Sequence, residues 1–212
     1  MFARMGFRFT GTVLSFRAAL VVVLAAWLAF SALFALYLPE PWASVAGFLP
    51  GVIGVGALLM SGASRQACYL RFNWPSRAGM IVLAALFIPM VPVVLVGFAQ
   101  AGWSGWDWMA TLVYAPTSGI AQELYFRSAL LPALEATLRR RFLALVVSSI
   151  LFSLFHAGMF TVAPLGAALS ALIVTFVVGI GWGWQVQRDQ TVIWAMIHHS
   201  ILQMILRLFA WM

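Results

Sequence analysis

Within SGIAQELYFRSALLPAL, residues 118–134, a mostly apolar run carries Gln122, Glu123 and Arg127. Two later apolar segments hold all three histidines of the chain. SSILFSLFHAG places His156 four residues after Phe152, and WAMIHHSILQMI places His199 four residues before Gln203, with His198 beside it. Residues four apart share one face of an α-helix, so Glu123 stands over Arg127, Phe152 over His156, and His199 over Gln203. Gln122 is turned by about 100° onto a neighbouring face, and His198 shares its face with Leu202, which suits packing better than chemistry. A carboxylate and two imidazoles brought to one buried point can bind a metal ion or activate water. Plainer roles exist for each. A Glu–Arg pair also locks helices together, because a paired charge costs far less to bury than a lone one, and a histidine at a helix end is commonly a hydrogen-bonded interface residue.

The elements that must position these residues are membrane helices. Of the 212 residues, 64% are hydrophobic and only 8% charged, against about 25% charged in a soluble domain. Such a composition cannot cover a water-facing surface and marks an integral membrane protein. Ten tryptophans suit the membrane–water interface. All twelve basic residues are arginines scattered between apolar runs, which argues for topology signals and an anionic leaflet and against nucleic acid. One cysteine, Cys68, excludes an intramolecular disulfide.

Seven spans are expected, near residues 12–38, 41–60, 79–99, 108–138, 142–157, 161–187 and 191–212. The first follows a basic start but is long enough to cross a bilayer and lacks a clear cleavage site, so it reads as a transmembrane helix and not as a leader. Arg4, Arg8 and Arg17 lie at the start of the first span, Arg65, Arg71 and Arg77 between the second and third, Arg139, Arg140 and Arg141 between the fourth and fifth, and Arg188 between the sixth and seventh. The alternate loops carry Glu40 and Asp107 and no arginine. The positive-inside rule then puts the N-terminus in the cytoplasm and the C-terminus outside, with Arg207 as a dissenter able to snorkel. Measured from the arginine-bearing end, Glu123, His156 and His199 lie about 24, 22 and 16 Å deep, so one layer can hold all three. Buried ionisable groups in a membrane helix mark function by default.

In this order and spacing, QELYFR (122–127), FSLFH (152–156) and HSILQ (199–203) resemble the type II CAAX prenyl endopeptidase family, the CPBP or Abi intramembrane proteases, whose pattern is EExxxR, FxxxH and HxxxN or HxxxD. Phe126, the aromatic before the arginine, also matches. The resemblance covers roughly residues 114–205. It implies a hydrolase cutting peptide bonds within the membrane, in which the first glutamate activates water, helped by the two histidines and the third motif's amide or acid, while the second glutamate and the arginine form a supporting pair. The family is labelled metalloprotease, which makes zinc the implied metal and Glu123, His156 and His199 its ligands, but a glutamate–water mechanism fits the same residues. Two positions depart from the pattern. Gln122 stands where the first glutamate belongs, and a neutral amide cannot serve as a general base. Gln203 replaces Asn or Asp, keeping the amide on a longer arm.

The expectation is therefore an all-α membrane bundle of about seven helices: three N-terminal helices over residues 1–107, then a CPBP-like core of four over residues 108–212 that holds the site. Its catalytic set is Gln122, Glu123, His156, His199 and Gln203, with Arg127, Phe152 and His198 in support. The expected partners are the lipid bilayer and a membrane-associated peptide or protein, in a bacterial inner membrane. Gln122 leaves three explanations: Glu123 acts as base in its place, the chain is a natural non-catalytic member, or the amide was introduced to silence the enzyme. A pseudoprotease serving as scaffold, immunity factor or secretion partner is the alternative function. A small transporter passing protons along Glu123, His156 and His199 is a third, disfavoured by the lack of an internal repeat.

Overall fold

A computed structural model describes residues 14–37, 42, 46–88, 91, 108–161 and 164–209. The expectations for Arg4, Arg8, Glu40 and Asp107, and for most of the third span beyond residue 88, lie outside these residues. The described residues form seven helices: α1 (Phe16–Tyr37), α2 (Phe48–Met60), α3 (Arg77–Phe87), α4 (residues 110–138), α5 (Arg141–Phe155), α6 (Leu165–Asp189) and α7 (Ile193–Phe209). One falls in each expected span. Two stretches, Arg141–Gly158 and Leu165–Asp189, are long and apolar enough to cross a membrane, and four of the other helices are shorter and apolar. Large apolar side chains such as Val21, Ile81, Leu165 and Ile173 point outward, as suits helices solvated by lipid.

Local chemistry sets the helix ends. Ser15 Oγ accepts from the Ala18 amide at 3.2 Å, and Ser76 Oγ from the Gly79 amide at 3.1 Å, each capping orphan donors of a first turn. At the C-terminal ends of α4 and α6, Arg139 (φ 55°) and Gln190 (φ 58°) take the left-handed conformation that stops a helix.

Helix α4 changes its winding three times. It runs from a π-helical turn (Ala110–Tyr114) to α-helix (Ala115–Glu123), to a second π-helical stretch (Leu124–Leu130), and back to α-helix (Leu131–Leu138). Each widened stretch lies just before a proline, Pro116 or Pro132. Proline removes one N–H and pushes on the carbonyl four residues earlier, and a wider turn relieves that push without breaking the helix.

The middle of α4 packs on α7 and α5 packs on α6. Helices α1 and α2 pair and cover the far side of α4, with α2 on its second π-helical stretch, and α3 lies on α6. Gly119 makes the α4–α7 approach possible: a Cβ there would stand 2.9 Å from the Ser200 backbone nitrogen and 3.1 Å from the His199 carbonyl carbon. Between α5 and α6, a Cβ at Gly179 would meet Phe152 at 3.2 Å, and one at Gly183 would collide with Leu145. This is the small-residue spacing that lets membrane helices close on each other.

The arginine-bearing segments meet at one end. The Val192 amide donates to the Tyr69 carbonyl, the Asn73 side chain to the carbonyls of Asp189 and Gln190, and Arg188 Nε to Ser76 Oγ. The loop with Arg65 and Arg71 is thus tied to the end of α6. Cys68 in that loop is fully buried, and burial pushes its thiol up to about 12, so it is inert.

Candidate active site

Glu123 is the last residue of the first α-helical part of α4, and Arg127 lies one turn on, in the second π-helical stretch. Both side chains are fully buried, and Arg127 Nε stands 3.4 Å from Glu123 Oε2. The contact lacks hydrogen-bond geometry, so it is a charge pair and not a fork. Arg127 Nη1 donates to Ser148 Oγ on α5 at 3.1 Å, and Ser148 Oγ donates back to the Phe126 carbonyl. The guanidinium also lies over the Phe152 ring, 5.1 Å from its centre. Arg127 therefore neutralises Glu123 while joining α4 to α5.

The other oxygen of Glu123 reaches α7, where His199 Nδ1 lies 3.0 Å from Oε1. An ionised carboxylate only accepts, so Nδ1 carries the proton and the neutral ring presents a lone pair at Nε2. Gln203 Nε2, 3.3 Å away, donates to that lone pair. The neighbouring His198 has the opposite tautomer. Trp182 Nε1 donates to its Nδ1 at 3.0 Å, and its own Nε2 donates to the Leu83 carbonyl at 2.8 Å. Both of its nitrogens are engaged, and it anchors α3 and α6 to α7.

On α5, Phe152 is the hub. Its ring meets His156 at 5.0 Å, His199 at 5.9 Å, Phe126 at 5.1 Å and Trp182 at 5.9 Å between centres. His156 opens a short 3₁₀ stretch, His156–Thr161, after α5 ends. Its Nδ1 donates to the Phe152 carbonyl at 2.9 Å, which again leaves Nε2 as the lone-pair nitrogen. Gln122, on the neighbouring face of α4, donates from Nε2 to Ser118 Oγ at 3.0 Å. Its Oε1 is buried without a protein hydrogen-bond partner, as are Glu123 Oε2 and Arg127 Nε and Nη2.

Glu123, His156 and His199 do not gather as one metal-holding set. Among the described residues no three His, Cys, Asp or Glu side chains gather as a metal-holding group. Glu123 meets His199 but has its second oxygen against a guanidinium, a poor neighbour for a cation, and His156 reaches the cluster only through the Phe152 ring.

Three site neighbours escape the sequence motifs: Trp182, which stacks on His199 at 4.3 Å, Ser148, and Ser118. For Trp182 the signal was present. Gly179 and Gly183, four apart, mark the α6 face that closes on α5, and Trp182 sits beside that stripe. Ser118, four residues before Gln122 and so on its face, was also legible by spacing; Ser148, on another helix, was not.

Residues 103–205 match the family described as type II CAAX prenyl endopeptidase Rce1-like. No curated protein and no solved structure matches the chain.

Proposed function

Given that residues 103–205 belong to the Rce1-like type II CAAX prenyl endopeptidase family, we propose that this chain is an intramembrane endopeptidase whose water-activating position holds an amide, Gln122. The family is one of proteases, and with the apolar helices it points to an integral membrane protein. The reading is carried by the line of buried Arg127, Glu123 and His199, ending at half-buried Gln203, beside Gln122. With a carboxylate at position 122, Ser118 would donate to one oxygen and the other would take a proton from water. The hydroxide oxygen bonds to the scissile carbonyl carbon, the C–N bond breaks, and the proton passes from position 122 to the leaving amine. Oxyanion binding by His156 requires its charged form, because the Nδ1 proton is held by Phe152. His199 and Gln203 orient water or substrate.

Glu123 is a poor replacement base. One oxygen accepts from His199 and the other faces Arg127, so neither is turned toward a water as a free acceptor. The substrate class is a membrane-associated peptide or protein entering laterally or from the cytoplasmic side, with no preference assigned for prenylated tails. The meeting of the arginine-bearing segments at one end supports a cytoplasmic N-terminus.

The test is Gln122→Glu in the purified full chain, reconstituted with a library of membrane peptides and read by mass spectrometry of the products. General-base catalysis contributes about 10²–10⁴-fold, so the glutamate form is expected to cleave at least about 100-fold faster, and His199→Ala in that background to abolish the gain. No gain across the library would overturn the protease reading in favour of the pseudoprotease.

A further inference from the structure

At the arginine-bearing end, a cavity of about 370 Å³ opens between the first turns of α5 and the last turns of α6, lined by Arg141, Phe142, Leu145, Trp184, Gln187 and Arg188. None of its lining residues is among the contacts of Glu123 or His199, and it has no part in the proposed chemistry. Two arginines and two aromatic rings make an unusual lining, cationic at the rim and apolar along the wall.

The two guanidinium groups are held in place. Arg141 Nη2 donates to the Gln187 carbonyl at 2.7 Å, and its Nε lies 3.6 Å from Glu135 Oε1 and is buried without a hydrogen-bond partner. Arg188 Nε donates to Ser76 Oγ at 3.0 Å, and its guanidinium lies over the Trp184 ring at 5.3 Å. Among the described residues the ion pairs join Glu123 to Arg127 and His199, and Glu135 to Arg141, so no carboxylate neutralises Arg188. Asp189 is turned away: it is buried, accepts from Gln185 Nε2 and packs against Gly79. Glu135 is buried and shared among Tyr69, Gln187 and Arg141. The rim therefore carries net positive charge.

Two further observations fix the ligand class. Helix α5, fifteen residues long, starts at Arg141 with no side-chain cap and no acid in its first turn, so its positive dipole end adds to the field at the rim. The same end of the bundle carries an aromatic cluster: the rings of Trp74 and Trp194 stack at 5.5 Å, Phe72 packs against both, and Trp194 Nε1 donates to the Asn73 carbonyl. Such aromatic groups sit at headgroup level. A phosphate at that level meets Arg188 and Arg141, while outward-facing Phe142 continues the apolar wall toward the lipid side.

We propose that this cavity is a binding site for the phosphate headgroup of an anionic phospholipid, with an acyl chain running along Phe142 and Leu145. Basic pockets between membrane helices suit this chemistry. The site ties the protein to the leaflet at its arginine-bearing end and clamps α5 against α6.

Thermal unfolding of the purified full chain in neutral detergent tests it, with phosphatidylglycerol, phosphatidylcholine or inorganic phosphate titrated into the micelles. Phosphatidylglycerol is expected to raise the Tm saturably and phosphatidylcholine to leave it unchanged. Arg188→Gln should weaken the phosphatidylglycerol midpoint about ten-fold, the size of one lost charged hydrogen bond. Arg188→Lys should restore part of it, and Arg65→Gln, outside the cavity, should leave it within about two-fold. The proposal is overturned if phosphatidylcholine acts as well as phosphatidylglycerol, if Arg65→Gln weakens binding as much as Arg188→Gln, or if inorganic phosphate alone gives the full shift. The last outcome assigns the cavity to a soluble phosphate. None of these readouts uses peptide cleavage, so the site stands or falls apart from the protease reading.

Discussion

Helix α4 carries two buried glutamates twelve residues apart, each beside an arginine, and their surroundings differ. Glu135 is saturated. Tyr69 O–H and Gln187 Nε2 donate to its two oxygens at 2.6 Å each, and Arg141 adds its charge at 3.6 Å. Burial, and after it Glu135 itself, hold the Tyr69 phenol well above its usual range, so it stays protonated and donates. Glu123 is undersatisfied. Its bond to His199 is 3.0 Å and its arginine contact lacks hydrogen-bond geometry. Next to it, Gln122 Oε1 and two Arg127 nitrogens have no protein partner. Folded proteins leave few buried polar atoms unpaired. Both Glu135 oxygens are thus satisfied, with Arg141 Nε the one unpaired atom beside them, while Gln122 Oε1, Glu123 Oε2 and Arg127 Nε and Nη2 all lack a protein partner, the polar capacity that the proposed function would use.

The largest effect that can break this contrast is on stability at the Glu123 cluster. Arg127→Met keeps much of the volume but strands a buried carboxylate, and breaking such a pair costs about 3–5 kcal/mol. Denaturant unfolding in micelles should show a loss of that size. A neutral result would mean that water reaches Glu123 freely and that the pair is not desolvated.

Next in size is Tyr69→Phe, which removes one hydrogen bond to a charged acceptor, worth about 1.5–3 kcal/mol. The same unfolding measurement should register it. Peptide cleavage by a Gln122→Glu form carrying Tyr69→Phe should stay within about two-fold of the Gln122→Glu parent, because nothing in the Glu135 cluster touches the site and changes at distant positions add independently. A ten-fold drop in cleavage would erase the distinction between the two glutamates.

Much of this was legible from residue types and spacing. Composition alone demanded apolar helices, and the four-residue spacings put Glu123 with Arg127 and His199 with Gln203, as the contacts show. The separation of His198 from His199 followed from helix rotation. Other features were hidden for identifiable reasons. The partners of Glu135, Tyr69 and Gln187, lie 66 and 52 residues away in sequence, and no local pattern announces contacts across such distances. Pro116 is a helix breaker by type, yet the helix absorbs it by widening, since lipid penalises free backbone groups more than a π-helical turn does. The metal set drew on residue types, depth and the family resemblance; among the described residues Glu123 and His199 meet, while His156 meets the cluster through the Phe152 ring.

The smallest expected effect sharpens the contrast from within the site. Gln203→Asn keeps the amide that family members carry on a shorter arm. The present bond from Gln203 Nε2 to His199 Nε2 is long, 3.3 Å, and only half-buried, so its loss should cost no more than about 1 kcal/mol. In the Gln122→Glu background, two outcomes separate its roles. If the amide only steadies His199, the rate should change by less than about five-fold, because Glu123 and the stacked Trp182 still fix the ring from the other side. If it contacts the substrate, kcat/KM should move further than stability does, in either direction. Glu123 fixes the tautomer of His199 from one side and Gln203 meets the lone pair on the other, so the polar capacity around Glu123 extends to Nε2 only if this substitution is felt in the rate more than in the fold.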